Sequence, residues 1–203
     1  MRTHLRRVHI LRHILHSSPI SGKVFVFIQL LGIIVLELAV LTIFPALLVV
    51  AAVGDLLTFR IPNWVSLALA GLFVVAGALA GIGWEAFGFH LALAAGLLLL
   101  GMGLFALNLL GGGDAKLLAA VGLWMGWAAM GPYLAWAAIA GGILAVLLLL
   151  FRKMTLPERL TAPPWVARLH SKHEGIPYGI ALAAGALMAL PQTIWFELVV
   201  TPL

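Results

Sequence analysis

The chain has no cysteine, which removes disulfides, thiolate zinc sites, iron–sulfur clusters and a cysteine nucleophile from consideration. It is nearly as poor in charge: 9% of its 203 residues are Asp, Glu, Lys or Arg, where an ordinary soluble domain carries about 25%. With 64% hydrophobic residues there is too little polar surface to cover a water-soluble fold, so the chain reads as an all-α, polytopic membrane protein. The polar–apolar alternation over ~10-residue stretches that a transmembrane barrel needs is also missing. No soluble module is long enough to read nucleic acid. The formal charge of +5 is therefore taken as the Lys/Arg bias of cytoplasmic loops, with membrane lipid and not nucleic acid as its partner.

What is present is a series of continuous apolar runs. A span needs ~20 such residues, and six candidates predict a bundle of six transmembrane helices at about 36–55, 64–82, 87–109, 115–129, 131–151 and 176–198. From Leu36 onward the basic residues are Arg60, Lys116, Arg152, Lys153, Arg159, Arg168 and Lys172, all in the first, third and fifth connections. The positive-inside rule places those connections on the cytoplasmic side of a multi-pass membrane protein. The cytoplasmic loop 152–175 is the one sizeable polar segment, and its Pro163-Pro164-Trp165 stretch suggests a segment lying on the headgroups. Small-residue pairs at helical spacing, such as Gly122 with Gly126 and Ala181 with Gly185, read as close helix packing.

The first 34 residues fit this pattern poorly, since Arg2, Arg6, Arg7, Arg12 and Lys23 fall on the wrong side of the first span. The apolar stretch from 24 to 57 would make about 50 Å of helix, too long for one ~30 Å hydrocarbon core and too short for two crossings. Three readings are open: an interfacial amphipathic helix, a long tilted first helix kinked at Pro45, or an upstream extension outside the native protein, with translation starting near residue 35. The last is adopted, so residues 1–34 are set apart as a basic N-terminal extension, interfacial or non-native, and 35–203 as the six-helix domain. His4, His9, His13 and His16 are read as part of a basic helix face and not as a metal site. His90, His170 and His173 are read as loop or interface residues.

Against so little charge, two aspartates stand out among seven acidic residues. Asp55 ends the first apolar run, ahead of Arg60-Ile61-Pro62-Asn63; Asp114 follows Gly111-Gly112-Gly113 and precedes Ala115-Lys116. An ionisable group at a membrane helix end is a functional-site hypothesis by default. The three glycines are expected to break the helix, leaving Asp114 on a loop or as a helix N-cap. Both carboxylates fall at one membrane face, and two like charges a few ångströms apart cannot both ionise freely. One ionised and one protonated carboxyl suffice to activate a water against an amide and to protonate the developing oxyanion, without metal or cofactor. The plainer reading of Asp55 alone is an ion pair with Arg60 or Lys116, and that of Asp114 alone is a simple interhelical turn with the aspartate as helix N-cap.

The run Gly111-Gly112-Gly113-Asp114-Ala115-Lys116-Leu117-Leu118 fits the GxGD pattern of membrane aspartyl proteases and closely resembles the second catalytic motif of the type IV prepilin peptidases. Asp55 with Arg60-Ile61-Pro62-Asn63 resembles their first motif, and Glu174-Gly175-Ile176-Pro177-Tyr178-Gly179-Ile180-Ala181 a run in their last span. The resemblance covers about 36–190. It implies that Asp55 and Asp114 are catalytic, that the substrate is a prepilin, and that its basic leader is cut at the cytoplasmic face. Larger relatives also methylate the new amino terminus through a region with a four-cysteine zinc site; this cysteine-free chain resembles the short, peptidase-only branch of Flp pili of tight-adherence systems. Gly111, Gly113, Lys116, Arg60, Pro177, Tyr178 and Gly179 are expected in supporting or substrate-binding roles, while Asn108 is expected to bond across helices. The competing reading from another class is a small ion-coupled transporter or channel subunit that uses the same carboxylates.

Overall fold

Every described element is helical, because within a segment crossing lipid only a helix satisfies its own backbone groups. The computed structural model describes residues 20–200 apart from 156, 158, 160–162 and 172, so the histidine-rich segment 1–19 lies outside the described residues.

The first helical rod joins α1 (Ile20–Leu38) to α2 (Phe44–Thr58) through a π-helical turn, Ala39–Ile43. Pro45 has no N–H to offer the preceding turn and its ring crowds the carbonyl there. The widened turn just before it, closed by Phe44 N–H donating to the Ala39 carbonyl, absorbs that misfit. The helix expected to start near residue 36 is thus continuous back to Ile20. Along the rod, Leu36, Val40, Phe44, Leu48, Ala51 and Asp55 are all buried, a single stripe at i, i+3/i+4 spacing. Asp55 is the last member of that stripe, so its carboxylate is carried on the packed face.

After residues 59–62 come α3 (Asn63–Ala80) and α4 (Trp84–Ala106), then α5 (Gly112–Phe151), α6 (Pro164–His170), α7 (Tyr178–Ala189), a 3₁₀ turn (Leu190–Gln192) and α8 (Ile194–Val200). α5 is the central element, packed on α4 and α7, and α2 also packs on α7.

α5 is not one straight helix. Gly126 has φ 59°, ψ −174°, which ends regular helix there. A straight 40-residue helix would hold its ends about 60 Å apart. Here Gly113 abuts Ile61, which also abuts Gly179, while Arg152 at the other end donates to the Gly175 carbonyl at 2.8 Å. The two ends therefore lie at one end of the molecule, and the segment turns back at Gly126. The positive φ suits glycine, and a Cβ there would lie 2.7 Å from His90 Cε1. The carbonyls that the break deprives of helical partners are taken up by side chains. Leu123 O accepts from His90 Nδ1, and Trp124 O accepts from Trp195 Nε1 at 2.8 Å. Trp124 Nε1 in turn donates to Leu69 O at 2.9 Å. Phe44 and Phe73 close an aromatic cluster around the two tryptophans. His90 is thus a buried helix residue, not a loop or interface residue.

Among the described residues, four helices are long and apolar enough to cross a membrane, or five when the bent pair Tyr178–Gln192 and Ile194–Val200 counts as one. The difference from six arises at Gly126. The expected fourth and fifth spans run together as one helical segment, with the bend at 126 and not near 130.

Candidate active site

Asp55 sits one turn from the C-terminus of α2, where Phe59 closes the helix in the left-handed conformation (φ 55°) and donates its N–H to the Asp55 carbonyl at 2.8 Å. A left-handed phenylalanine costs roughly 1–2 kcal/mol, and Phe59 lines the cavity described below. The connection then runs through extended Pro62, which pre-sets the start of α3. The Asp55 side chain is 4% exposed. It pairs with neither Arg60 nor Lys116: its Oδ2 accepts the Gly179 backbone N–H at 2.7 Å. Gly179 opens α7 behind buried Pro177. A Cβ at Gly179 would lie 2.8 Å from Asp55 Oδ2 and 2.7 Å from Ile61 Cδ1, so only glycine lets this amide come so close.

Asp114 belongs to the first turn of α5, with Gly111 at the cap position. The expected helix break falls earlier, at residues 107–111, and Gly112 and Gly113 are already helical. Asp114 is therefore not the N-cap; its carboxylate reaches back to the Gly111 backbone. Asn108, read from the sequence as a cross-helix polar contact, instead takes the left-handed position (φ 57°) after α4, and Leu109 N–H bonds the Leu104 carbonyl at 2.9 Å. Asp114 is 8% exposed, and its Oδ1 is buried without a hydrogen-bond partner among the described residues.

The two carboxylates share the wall of one cavity of about 380 Å³, with Phe59, Asn108, Glu174 and Tyr178. Ile61 fixes their relation. Its backbone N would lie 3.3 Å from a Cβ at Gly113, next to Asp114, and its side chain packs on Gly179, the hydrogen-bond partner of Asp55. Two buried carboxylates on one wall, one of them with a free acceptor oxygen, can hold a proton and a water between them.

The other expected residues divide. Gly111, Gly113, Pro177, Tyr178 and Gly179 gather around the pair. Lys116 points away, its Nζ donating to Asn63 Oδ1 at 2.8 Å. Arg60 lines a separate polar cavity with Thr58, Arg168 and Glu174.

Two residues were not singled out from the sequence. Arg152 donates to three backbone carbonyls, of Leu169 at 2.9 Å, Glu174 at 3.0 Å and Gly175 at 2.8 Å, and so holds the strand that leads into Pro177 and Gly179. Tyr133 is fully buried, and its hydroxyl has no hydrogen-bond partner among the described residues. A cation at the end of the apolar run 131–151 signalled the first only as a topology marker; nothing in the local pattern signalled the second.

Residues 42–146 match the family described as the type IV leader peptidase family. No curated protein and no solved structure shows significant similarity to the chain.

Proposed function

The chain belongs to the type IV leader peptidase family, and we propose that it is a two-aspartate endopeptidase that removes the leader of Flp-type prepilins at the cytoplasmic face of a bacterial inner membrane. The observation that carries this reading is the burial of Asp55 and Asp114 on the wall of a single cavity. In this proposal α5 makes two passes with its turn at Gly126, which gives six crossings and returns Arg60, Lys116 and Arg152 to one side.

The Gly179 N–H engages Asp55 Oδ2 as an acceptor, leaving its other oxygen to act as general base. Asp114 Oδ1, without a partner among the described residues, carries the proton. Asp55 takes a proton from water, whose oxygen bonds to the scissile carbonyl carbon. Asp114 gives its proton to the carbonyl oxygen, forming a neutral gem-diol. Collapse of that diol breaks the C–N bond: Asp55 gives its proton to the leaving amine while Asp114 takes one from a diol hydroxyl, so the pair again holds one proton, on Asp114. Tyr178, partly exposed on the cavity wall, and Glu174 at its mouth contact the substrate. Methylation is not part of this activity. The chain has no cysteine for the zinc region of methylating relatives, and only residues 59–62 join α2 to α3.

The test is co-expression with a small Flp-type prepilin. The wild-type chain converts it to a shorter product whose mass matches the unmethylated mature form, and Asp55→Asn and Asp114→Asn leave it uncut. Normal processing by either variant overturns the mechanism. Ion-dependent flux into vesicles with intact prepilin would favour the transporter reading instead.

A further inference from the structure

A second cavity, of about 560 Å³, lies between α3, α4 and the first half of α5 and shares no lining residue with the aspartate cavity. Its walls are apolar and built largely of small side chains, including Ala70, Ala95 and Ala119. Its only polar lining residues are Asn63, Ser66 and Lys116. These three lie in the first two turns of α3 and α5, so the polarity is confined to the end where both helices begin.

That end has unused hydrogen-bonding capacity. Lys116 Nζ donates to Asn63 Oδ1 at 2.8 Å, which leaves two of its three N–H groups. Ser66 Oγ is buried and has no partner among the described residues. Both helices also point their amide-bearing N-termini here, adding positive potential. The remainder of the lining is hydrocarbon, and the groove opens to the surface at Leu67, Leu91 and Leu98.

Charge and apolarity select the occupant. One ammonium group stands at the polar end of an open groove that is otherwise hydrocarbon, which matches an anionic headgroup followed by an acyl chain. Basic pockets between helices at the cytoplasmic side are suited to anionic headgroups. We propose that this groove holds an acyl chain of an anionic phospholipid, with its phosphate on Lys116. The lipid would bridge Asn63, which follows the Asp55 connection, and Lys116, which follows Asp114.

The full chain, purified in neutral detergent, is titrated with phosphatidylglycerol and with phosphatidylcholine and read by native mass spectrometry, independently of peptidase activity. The wild-type chain retains phosphatidylglycerol over phosphatidylcholine by about fivefold, the contribution of one lysine near a headgroup. Lys116→Gln removes that preference and Lys116→Arg restores it; Ala95→Trp, which fills the groove, lowers retention of both lipids. Equal retention of the two lipids by the wild-type chain overturns the proposal, as does a preference that survives Lys116→Gln. Unchanged lipid retention in Ala95→Trp together with lost prepilin crosslinking would assign the groove to the substrate and also overturns it.

Discussion

The two ends of the first half of α5 treat buried polar groups in opposite ways. At Gly126 the carbonyls of Leu123 and Trp124, freed by the break, are bonded by His90 and Trp195. At the other end Asp114 Oδ1 is buried and left without a partner among the described residues. A buried polar group without a partner costs about 1–3 kcal/mol. Tolerating that cost at one end while side chains bond the Leu123 and Trp124 carbonyls at the other is the mark of a site shaped for chemistry against a joint shaped for stability.

The contrast makes crossed predictions. Asp114→Asn and Asp55→Asn should each reduce prepilin cleavage by about 10²–10⁴-fold, the usual worth of a general acid or base, while the melting temperature stays the same or rises. Trp195→Ala should do the reverse, losing about 3–5 kcal/mol of stability to the cavity it opens; the milder Trp195→Phe, which deprives the Trp124 carbonyl of its donor, should lose about 1–3 kcal/mol. Both tryptophan variants should cleave at the wild-type rate below their melting temperatures, as judged by initial rates in a prepilin assay. A tryptophan variant that is fully folded yet inactive would dissolve the distinction between the two ends.

Gly179→Val sharpens the comparison from the other side of the cavity. A side chain there meets Asp55 Oδ2 at 2.8 Å, so the variant should lose on the order of 10²-fold in cleavage, as expected for ~1 Å misplacement of a reacting group, together with about 1–3 kcal/mol of stability from overpacking. The smallest effect is expected at Arg152. Arg152→Gln removes the cation that gathers three carbonyls ahead of Gly179. It should raise KM and lower kcat together, by about tenfold in kcat/KM if one charged hydrogen bond's worth of ordering is lost, with Arg152→Lys recovering part of it.

The aspartates were legible because charge is so scarce in this chain: a carboxylate at the end of an apolar run has few innocent uses. Their neighbours were legible in kind, since Gly179 and Gly113 mark close backbone approach. The bend lies a few residues before the expected break because Gly131-Pro132 is the stronger local punctuation, whereas the turn at Gly126 is held by His90 on the Leu123 carbonyl and Trp195 on the Trp124 carbonyl, partners distant in sequence. Lys116 was placed beside Asp114 by proximity in sequence, but on a helix residues two apart point to different faces, and it bonds Asn63 instead. The long first helix could not be delimited from composition, because the stripe of Leu36, Val40, Phe44 and Leu48 continues without a stop signal into the apolar residues before it.

The central claim is that Asp55 and Asp114 act as a pair on one water. The direct test is a double-mutant cycle on prepilin cleavage with Asp55→Asn, Asp114→Asn and the double variant. A working pair predicts that each single variant is as slow as the double, because either loss disables the same step. Independent losses that multiply in the double variant, or a single variant that cleaves at the wild-type rate, would contradict it.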